Sequence, residues 1–416
     1  MSAGQAGGLA AAGGLEVRGT GPAAFGRGWE VPAAGLYVYI AFFLAGQLFD
    51  MPFLNVAGSS LLLYVLLLGN HKRMFALSGD KTVVICLLLI AMAFVNLFIN
   101  RGLTEPGYFL KFITMCFLYV LVFSYGYSPM YDSEKRKYLL WGVLLVLALS
   151  LIAGRKFEHY GEVRSSGIFS NPNNLALIAL SLLLFINEEK DRLPARLLAH
   201  ALVLFILAAS ATSGALLAYL AALAYKNRGR IFRIKPLLAG FCCLAALAPV
   251  LLYSRNPEDF PALKKITSQL AVIRIYLPRV IWMERLDYGR ILARYGASSL
   301  SGIWRVEHWF DGLYLIGKSG PLHLLFGNGI GSSATLLGNL PHNEYLRVLL
   351  EQGLTGFALV AAFFFAVAGR IDKRYMHILV MFGIFCFTEN NLDNFLFMTL
   401  FIFFIATAQT RKEQKR

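Results

Sequence analysis

Long runs of apolar residues recur from one end of the chain to the other, as in "VVICLLLIAMAFVNLFI" at residues 83–99. The hydrocarbon core of a bilayer is ~30 Å thick, and a helix that crosses it needs roughly 20 mostly apolar residues. Hydrophobic residues make up 57% of the chain and charged residues only 15%, with a mean hydropathy of +0.59. These features exclude a soluble enzyme and predict an integral membrane protein with several spans.

The apolar runs predict an all-α integral membrane protein with about twelve transmembrane helices. The predicted spans 1–9 lie within residues 34–253 and spans 10–12 within residues 342–409. The span at 214–225 is short and begins at Ser213-Gly214, which is typical of one half of a tightly turned pair. The predicted windows are 34–50, 51–69, 81–100, 107–126, 138–154, 172–187, 195–212, 214–225, 236–253, 342–368, 374–389 and 393–409.

The net charge of +15 is distributed in a way that indicates topology rather than nucleic-acid binding. Lys and Arg cluster in alternate connections, at 72–81, 135–137, 190–196, 226–235, 370–374 and 411–416. Connections on the cytoplasmic side carry such an excess of basic residues. We therefore expect both termini in the cytoplasm, with flexible tails at residues 1–33 and 410–416.

Cysteine usage gives no sign of a disulfide framework or of a cysteine metal site. The five cysteines, Cys86, Cys116, Cys242, Cys243 and Cys386, all lie within apolar runs. The predicted outer face also lacks Asp-x-Asp and a tight carboxylate cluster, which are the usual ligands of divalent cations. The sequence therefore predicts no metal site and no cofactor.

Residues 254–341 form a long, charged connection that is predicted on the outer face. Two stretches in it, "PRVIWMERLDYGRILARYG" and "SGIWRVEHWFDGLYLIGKSG", have helical spacing. On one continuous helix, Arg279, Arg290 and Arg294 fall within about 60° of each other beside an apolar side. Such a helix suits the membrane interface, where the arginines contact either anionic headgroups or a bound phosphate.

Two further outer segments combine turn residues with possible ligand-binding groups. In "RSSGIFSNPNNLA", Asn171 before Pro172 predicts a helix start, and Arg164 lies close to the bilayer. In "FGNGIGSS" the glycines favour a tight turn, because no strand precedes them as a nucleotide-binding loop requires. Backbone N–H groups of this loop that bind a phosphate remain an alternative.

The segment "PHNEYLRVLLEQGLTG" places ionisable groups at the start of an apolar helix. Pro341 is expected in the first helical turn, with His342 at the N-terminal end. The positive end of the helix dipole disfavours an imidazolium there, and a neutral imidazole is a competent general base. The alternative is a capping or interfacial histidine, which is also the interpretation of His159, His308 and His323. We expect Arg347 to pair with Glu344 and with Glu351 along the helix.

These motifs resemble those of the O-antigen ligase and polymerase family of bacterial envelope enzymes. The resemblance rests on "HNEYLRVLLEQGLTG", on "RSSGIFSNPNNLA" and on the Arg305 to Trp309 spacing, and it extends over about residues 164–356. One departure is Ser213-Gly214, where many relatives carry an arginine after the serine. Length and layout within the family are most similar to those of the ligases.

The resemblance implies a glycosyltransferase that completes lipopolysaccharide at the periplasmic face of the bacterial inner membrane. Its donor would be an O-antigen glycan on undecaprenyl diphosphate, its acceptor a hydroxyl of the lipid A core, and its mechanism inverting and metal-independent. We expect His342 and Arg305 to be catalytic. The residues expected to bind the diphosphate or the substrate are Arg164, Arg290, Arg294, Arg279 and Asn343.

Three other functions are the alternatives to this one. A polymerase of the same family would join lipid-linked repeat units instead of using lipid A core. A flippase or transporter would place charges at the membrane midplane on broken helices. A non-enzymatic envelope scaffold would tolerate the loss of His342.

Overall fold

The computed structural model describes residues 30–74, 80–125, 134–159, 162–186, 193–231, 261–392 and 394–408. The described part of the chain is mostly helical. The first helices are α1 (Glu30–Leu48), α2 (Pro52–Met74), α3 (Lys81–Ile99), α4 (Pro106–Ser124), α5 (Glu134–Ala153), α6 (Pro172–Ile186), α7 (Leu193–Ser210), α8 (Ser213–Lys226) and α9 (Arg228–Ile231). They are followed by α10 (Pro261–Ile281), α11 (Tyr288–Tyr295), α12 (Ala297–Lys318), α13 (Pro321–Phe326), α14 (Ser332–Leu336), α15 (Glu344–Arg370), α16 (Met376–Thr388) and α17 (Phe395–Thr407).

Each predicted span within the described residues coincides with a helix, to within a few residues. The predicted ninth span, Cys242 and Cys243, and the tail at 410–416 lie outside the described residues. So does most of the predicted N-terminal tail, although α1 already begins at Glu30. The short α8 follows α7 after only Ala211 and Thr212, which confirms the tight turn expected there.

Three of the described helices, α3, α4 and α15, are long and apolar enough to cross a membrane. Several others are apolar but shorter, among them Pro52–Leu68 of α2 and Pro194–Ser210 of α7. Large apolar side chains such as Phe98 and Phe365 are exposed on the long helices. A membrane supplies the apolar surroundings that such surfaces need, so these helices indicate a membrane-embedded protein.

Short polar residues set the starts of these helices. Asp80 accepts hydrogen bonds from the N–H groups of Thr82 and Val83 at the start of α3, and Glu105 accepts one from Tyr108 at the start of α4. Asn394 does the same for α17. These side chains satisfy N–H groups that have no partner within the helix, which is why an apolar run begins as a helix at these positions.

A two-stranded antiparallel hairpin contradicts the prediction of an all-α protein. Strand β1 (Arg155–His159) pairs with β2 (Glu162–Gly167), with Phe157 opposite Arg164. Phe157 and Val163 are the only large apolar side chains of the two strands, so the sequence lacks the alternation of apolar and polar residues that predicts strands.

The main hydrophobic core joins residues of α1–α8 with residues of α15–α17. Helix α15 packs on α3, α17 packs on α4, and α8 packs on α16. A second, smaller core holds α10, α11 and α12 together around Val272, Tyr276, Ile291 and Ile303. Helix α12 also contacts α15, and this contact joins the smaller core to the rest of the helices.

Helix α15 is broken at Gly353, whose φ of 66° is left-handed. The loop at 327–331 packs into the break, where Asn328 and Gly329 donate their N–H groups to the carbonyls of Leu350 and Glu351. Gly327 has a φ of 78°, and a Cβ on it would lie 2.2 Å from the Glu351 carbonyl oxygen. The glycines therefore serve close packing and turning, as predicted. The alternative of phosphate binding by these N–H groups is wrong for Asn328 and Gly329, because both donate within the protein.

Asn96 and Asn100 of α3 bind the same loop from the other side. Asn96 Nδ2 donates to the carbonyls of Phe326 and Glu351, and Asn96 Oδ1 accepts from the N–H of Ile330. Asn100 Nδ2 donates to the carbonyl of Gly327. These two asparagines therefore satisfy backbone groups that a broken helix and a tight loop would otherwise leave unpaired.

Candidate active site

His342 lies just before α15 rather than in its first turn. The helix begins at Glu344, and Asn343 caps it by accepting a hydrogen bond from the N–H of Leu346 at 3.1 Å. The prediction that Pro341 occupies the first helical turn is therefore wrong, because Asn343 is the stronger start signal. His342 has a left-handed φ of 50°, and the Trp309 indole N–H holds the preceding peptide through the Pro341 carbonyl at 2.8 Å.

Glu389 joins His342 to Arg305. Its Oε2 atom lies 3.1 Å from His342 Nδ1, and its Oε1 atom accepts a hydrogen bond from Arg305 Nη2 at 2.8 Å. Asn173, near the start of α6, donates to Oε2 at 2.9 Å. The Glu389 side chain is only 6% exposed, whereas His342 is 30% exposed and Arg305 is 20% exposed. A buried carboxylate thus holds two side chains that stay partly open to solvent.

Glu389 is not among the predicted site residues, because the sequence places it at the end of the predicted apolar window 374–389. In the structure it follows the end of α16 and caps that helix. The polar run "TENNLDN" between two phenylalanine-rich helices was the available signal. A carboxylate between two apolar segments is costly to bury unless it has partners, and its position therefore indicates a function or an ion pair.

The charge on Glu389 is stabilised by its partners. Burial alone would raise the pKa of this carboxyl, but the nearby Arg305 charge and the hydrogen bonds from His342 and Asn173 outweigh burial and lower it. An ionised carboxylate accepts hydrogen bonds only, so His342 donates from Nδ1. In a neutral ring with this tautomer, Nε2 is the nitrogen whose lone pair can take a proton.

A cavity of about 630 Å³ opens beside these residues, and we call it the His342 cavity. The ends of several elements meet there: the start of α6, the turn between α7 and α8, the start of α11, and the segments before α15 and after α16. Its lining includes Phe157, Arg164, Asn171, Asn173, Thr212, Ser213, Tyr288, Leu292, Leu300, Ser301, Trp304, Arg305, Asn339, His342 and Glu389. This mixture of aromatic, cationic and amide groups suits a polar ligand with negative charge.

Arg164 lines the His342 cavity. It lies on β2, and its guanidinium carbon is 5.6 Å from the centre of the Phe157 ring on the neighbouring strand. Stacking on an aromatic face orients a guanidinium. The hairpin therefore brings a second arginine to the same cavity as Arg305.

The structure does not bring Arg279, Arg290 and Arg294 to the cavity. The predicted single helix over 278–296 is interrupted between Ile281 and Tyr288, because Asp287 caps a new helix by accepting from the N–H of Arg290. Arg279 pairs with Glu284 and Arg290 with Asp287, and all four side chains are mostly exposed. None of the three arginines lines the His342 cavity. Asn343 does not line it either and serves as the helix cap.

The departure at Ser213-Gly214 has a packing explanation. A Cβ on Gly214 would lie 2.4 Å from Thr388 Oγ1, so α8 approaches α16 too closely for any side chain at this position. Ser213 and Thr212 line the cavity at the start of α8. An arginine side chain at position 214 would therefore require α8 and α16 to move apart.

The charged residues of α15 form a separate buried group. Arg347 Nε donates to Glu351 Oε1 at 2.9 Å, and Arg347 Nη1 lies 3.7 Å from Glu344 Oε2, which confirms both predicted pairs. The Arg347 guanidinium also stacks on the Tyr108 ring of α4. The space beside Arg347 and Glu351 is only about 20 Å³, enough for about one water molecule.

The described residues outside the His342 cavity offer no metal site. Among the described residues, no group of three or more His, Cys, Asp or Glu side chains is placed to hold a metal ion. His308 lies against Trp304, and burial lowers its pKa.

No protein-family model matches the chain, and no match was found among curated proteins. The function must therefore be inferred from the geometry of the His342 cavity and from the motifs.

Proposed function

We propose that the protein is a glycosyltransferase of the O-antigen ligase type, which moves a glycan from undecaprenyl diphosphate to a hydroxyl of the lipid A core. The observation that carries the proposal is the hydrogen-bonded group of His342, Glu389 and Arg305 at a cavity of about 630 Å³. The resemblance of the sequence motifs to those of the family supports the same activity. Both lines of support involve His342 and Arg305.

His342 is the proposed general base. Its Nε2 atom takes the proton of the acceptor hydroxyl while that oxygen attacks the anomeric carbon. The new bond forms between the acceptor oxygen and the anomeric carbon, and the bond from that carbon to the diphosphate oxygen breaks. Attack from the face opposite the diphosphate inverts the anomeric centre. Glu389 holds the ring in the required tautomer and stabilises the imidazolium that forms, as the carboxylate of a catalytic triad does.

Arg305 and Arg164 are the proposed diphosphate ligands. The leaving diphosphate takes the electron pair of the broken bond and gains one negative charge, which guanidinium groups can stabilise by paired hydrogen bonds. Both arginines line the cavity, whereas Arg279, Arg290 and Arg294 do not. The arginines supply the counter-charge that other glycosyltransferases obtain from a metal, so metal independence remains part of the proposal.

The proposed topology follows from the distribution of charge along the chain. We place the His342 cavity at the periplasmic face of the bacterial inner membrane, with about twelve spans and both termini in the cytoplasm. Arg370 and Lys373, which belong to a predicted cytoplasmic connection, lie at the opposite end of α15 from His342. The partners are the lipid-linked donor, the lipid A core and membrane lipids, and nucleic acid is not among them.

Transport is the second candidate, and one observation favours it. Helix α15 is broken at Gly353 and carries the buried group of Glu344, Arg347 and Glu351, both of which are features of transporters. The space beside this group is about 20 Å³, far too small for a sugar. The break itself is filled by the loop at 327–331. Size therefore favours the His342 cavity as the substrate site and transfer as the function.

Reconstitution with purified components tests the proposal. The protein in nanodiscs would receive lipid-linked glycan and either lipid A core or a second lipid-linked glycan as acceptor. We expect transfer to lipid A core that is lost in His342→Ala and strongly reduced in Arg305→Ala. His323→Ala is the matched control, because His323 lies on α13 and does not line the cavity. Transfer that persists in His342→Ala would overturn the proposal, and transfer only to the second lipid-linked glycan would identify a polymerase.

A further inference from the structure

Trp304 is the large aromatic side chain beside the proposed base. It precedes Arg305 on α12 and lines the His342 cavity. The centres of the Trp304 and His342 rings are 5.5 Å apart, with the rings nearly perpendicular at 73°. Any group that lies on the exposed part of this indole is therefore within reach of the imidazole.

The His308 ring packs against the Trp304 indole and holds it in place. The His308 ring lies 3.9 Å from it, centre to centre, and His308 Nδ1 lies 3.0 Å from the Trp304 carbonyl oxygen. Burial lowers the pKa of His308, so its ring is neutral at periplasmic pH and stacks as an aromatic group. A side chain that is both fixed and open to a cavity is suited to ligand binding, because little freedom is lost when the ligand arrives.

We propose that Trp304 is the platform on which the pyranose ring of the acceptor stacks. The negative face of an aromatic ring attracts the weakly positive C–H groups of a sugar, while the hydroxyls at the edge of the sugar remain free to react. The diphosphate of the donor needs Arg305 and Arg164, so the indole beside His342 is left for the acceptor. This inference rests on the proposed function and adds the residue that selects the acceptor.

Kinetics of Trp304→Ala test the platform. We expect the KM for lipid A core to rise roughly three- to tenfold, the usual effect of losing one aromatic contact, with little change in the KM for the lipid-linked donor. Trp304→Phe should recover most of the loss. Trp282→Phe is the matched control, because Trp282 is 78% exposed and does not line the cavity. An unchanged acceptor KM in Trp304→Ala would overturn the platform and leave the proposed transfer intact.

A binding measurement separates the platform from the transfer reaction. Calorimetry with delipidated core oligosaccharide and no donor requires no chemistry. We expect binding to wild type and Trp282→Phe, and weaker binding to Trp304→Ala by a similar factor. Binding that depends on Trp304 without any transfer would keep the sugar site and reject the proposed function. Equal binding by all three proteins, or no binding to wild type, would reject the platform.

Discussion

Oε2 of Glu389 lies 3.1 Å from Nδ1 of His342, although the two residues are 47 positions apart in the sequence. The contact brings the segment after α16 to the segment before α15. Removing the carboxylate should impair catalysis more than binding, because the imidazole loses the group that sets its tautomer. We expect Glu389→Gln to lower kcat by roughly 10²- to 10³-fold with a much smaller change in KM.

A control for this variant is Glu284→Gln, since Glu284 pairs with Arg279 on the surface and is mostly exposed. Initial rates of glycan transfer at several acceptor concentrations would separate kcat from KM. A Glu389→Gln enzyme with wild-type kcat would show that the carboxylate has no part in orienting the base.

The lowered pKa of Glu389 also predicts how stability depends on pH. Its pKa lies below the ordinary value of 4.5 in the folded protein, so the ion pair stabilises the fold above pH 4.5. That contribution is lost as the pH falls through the lowered pKa. Wild type should therefore unfold at a higher temperature than Glu389→Gln at neutral pH, and the difference should shrink in acid. Thermal unfolding in detergent between about pH 7 and pH 3 measures this, and a difference independent of pH would contradict it.

Arg164 and Arg290 should differ sharply in their effect on the donor. Arg164 lines the His342 cavity, whereas Arg290 is mostly exposed and pairs with Asp287. We expect Arg164→Ala to raise the donor KM about tenfold or more, because a charge-assisted hydrogen bond to phosphate is lost. Arg290→Ala should stay within about twofold of wild type. Equal losses in the two variants would mean that the diphosphate is bound elsewhere.

Gly214 should be intolerant of even a methyl group. A Cβ there would lie 2.4 Å from Thr388 Oγ1 and 2.8 Å from Thr388 Cβ. We expect Gly214→Ala to lower the free energy of unfolding by about 1–3 kcal/mol, and Thr388→Gly to relieve part of that loss in the double variant. Gly142→Ala on α5 is the control, because nothing lies within 4 Å of a Cβ at Gly142. Unfolding temperatures of wild type, both single variants, the double variant and the control measure this. If the loss in the double variant equalled the sum of the two single losses, Gly214 and Thr388 would not be coupled.

Asn96 should be among the most sensitive polar residues within the apolar helices. Replacing it with leucine leaves the N–H of Ile330 and the carbonyls of Phe326 and Glu351 without this partner. Each buried group that loses its hydrogen bond costs about 1–3 kcal/mol, so Asn96→Leu should destabilise the protein severely. Val95→Leu is the control, because Val95 lies on the exposed side of α3. A stable Asn96→Leu protein would indicate that water replaces the amide.

The helices were predictable because the apolar runs are long, and several of them begin after a capping residue such as Asp80 or Asn343. The pairs of Arg347 with Glu344 and Glu351 were predictable for a similar reason, since they depend on helical spacing alone. His342 and Arg305 were identified from short motifs, and the structure brings them together through Glu389.

The errors arose where contacts between distant segments decide the structure. The role of Glu389 depends on its hydrogen bonds with Asn173, Arg305 and His342, none of which is near it in sequence. The arginine stripe over 278–296 failed because Asp287 starts a new helix within an otherwise helical pattern. The hairpin that carries Arg164 was not predicted, because its strands are short, mostly polar and without alternation of apolar and polar residues.

The break in α15 has a consequence for how the chain is assembled in the membrane. Carbonyl groups at the break are satisfied by the loop at 327–331, which is made before the helix, and by Asn96, which is made much earlier. A newly synthesised α15 therefore enters the bilayer with backbone groups that only its own upstream chain can match. Stable integration of this helix therefore depends on packing against that loop, so we expect defects in the loop to appear as failed biogenesis and degradation before they appear as lost catalysis.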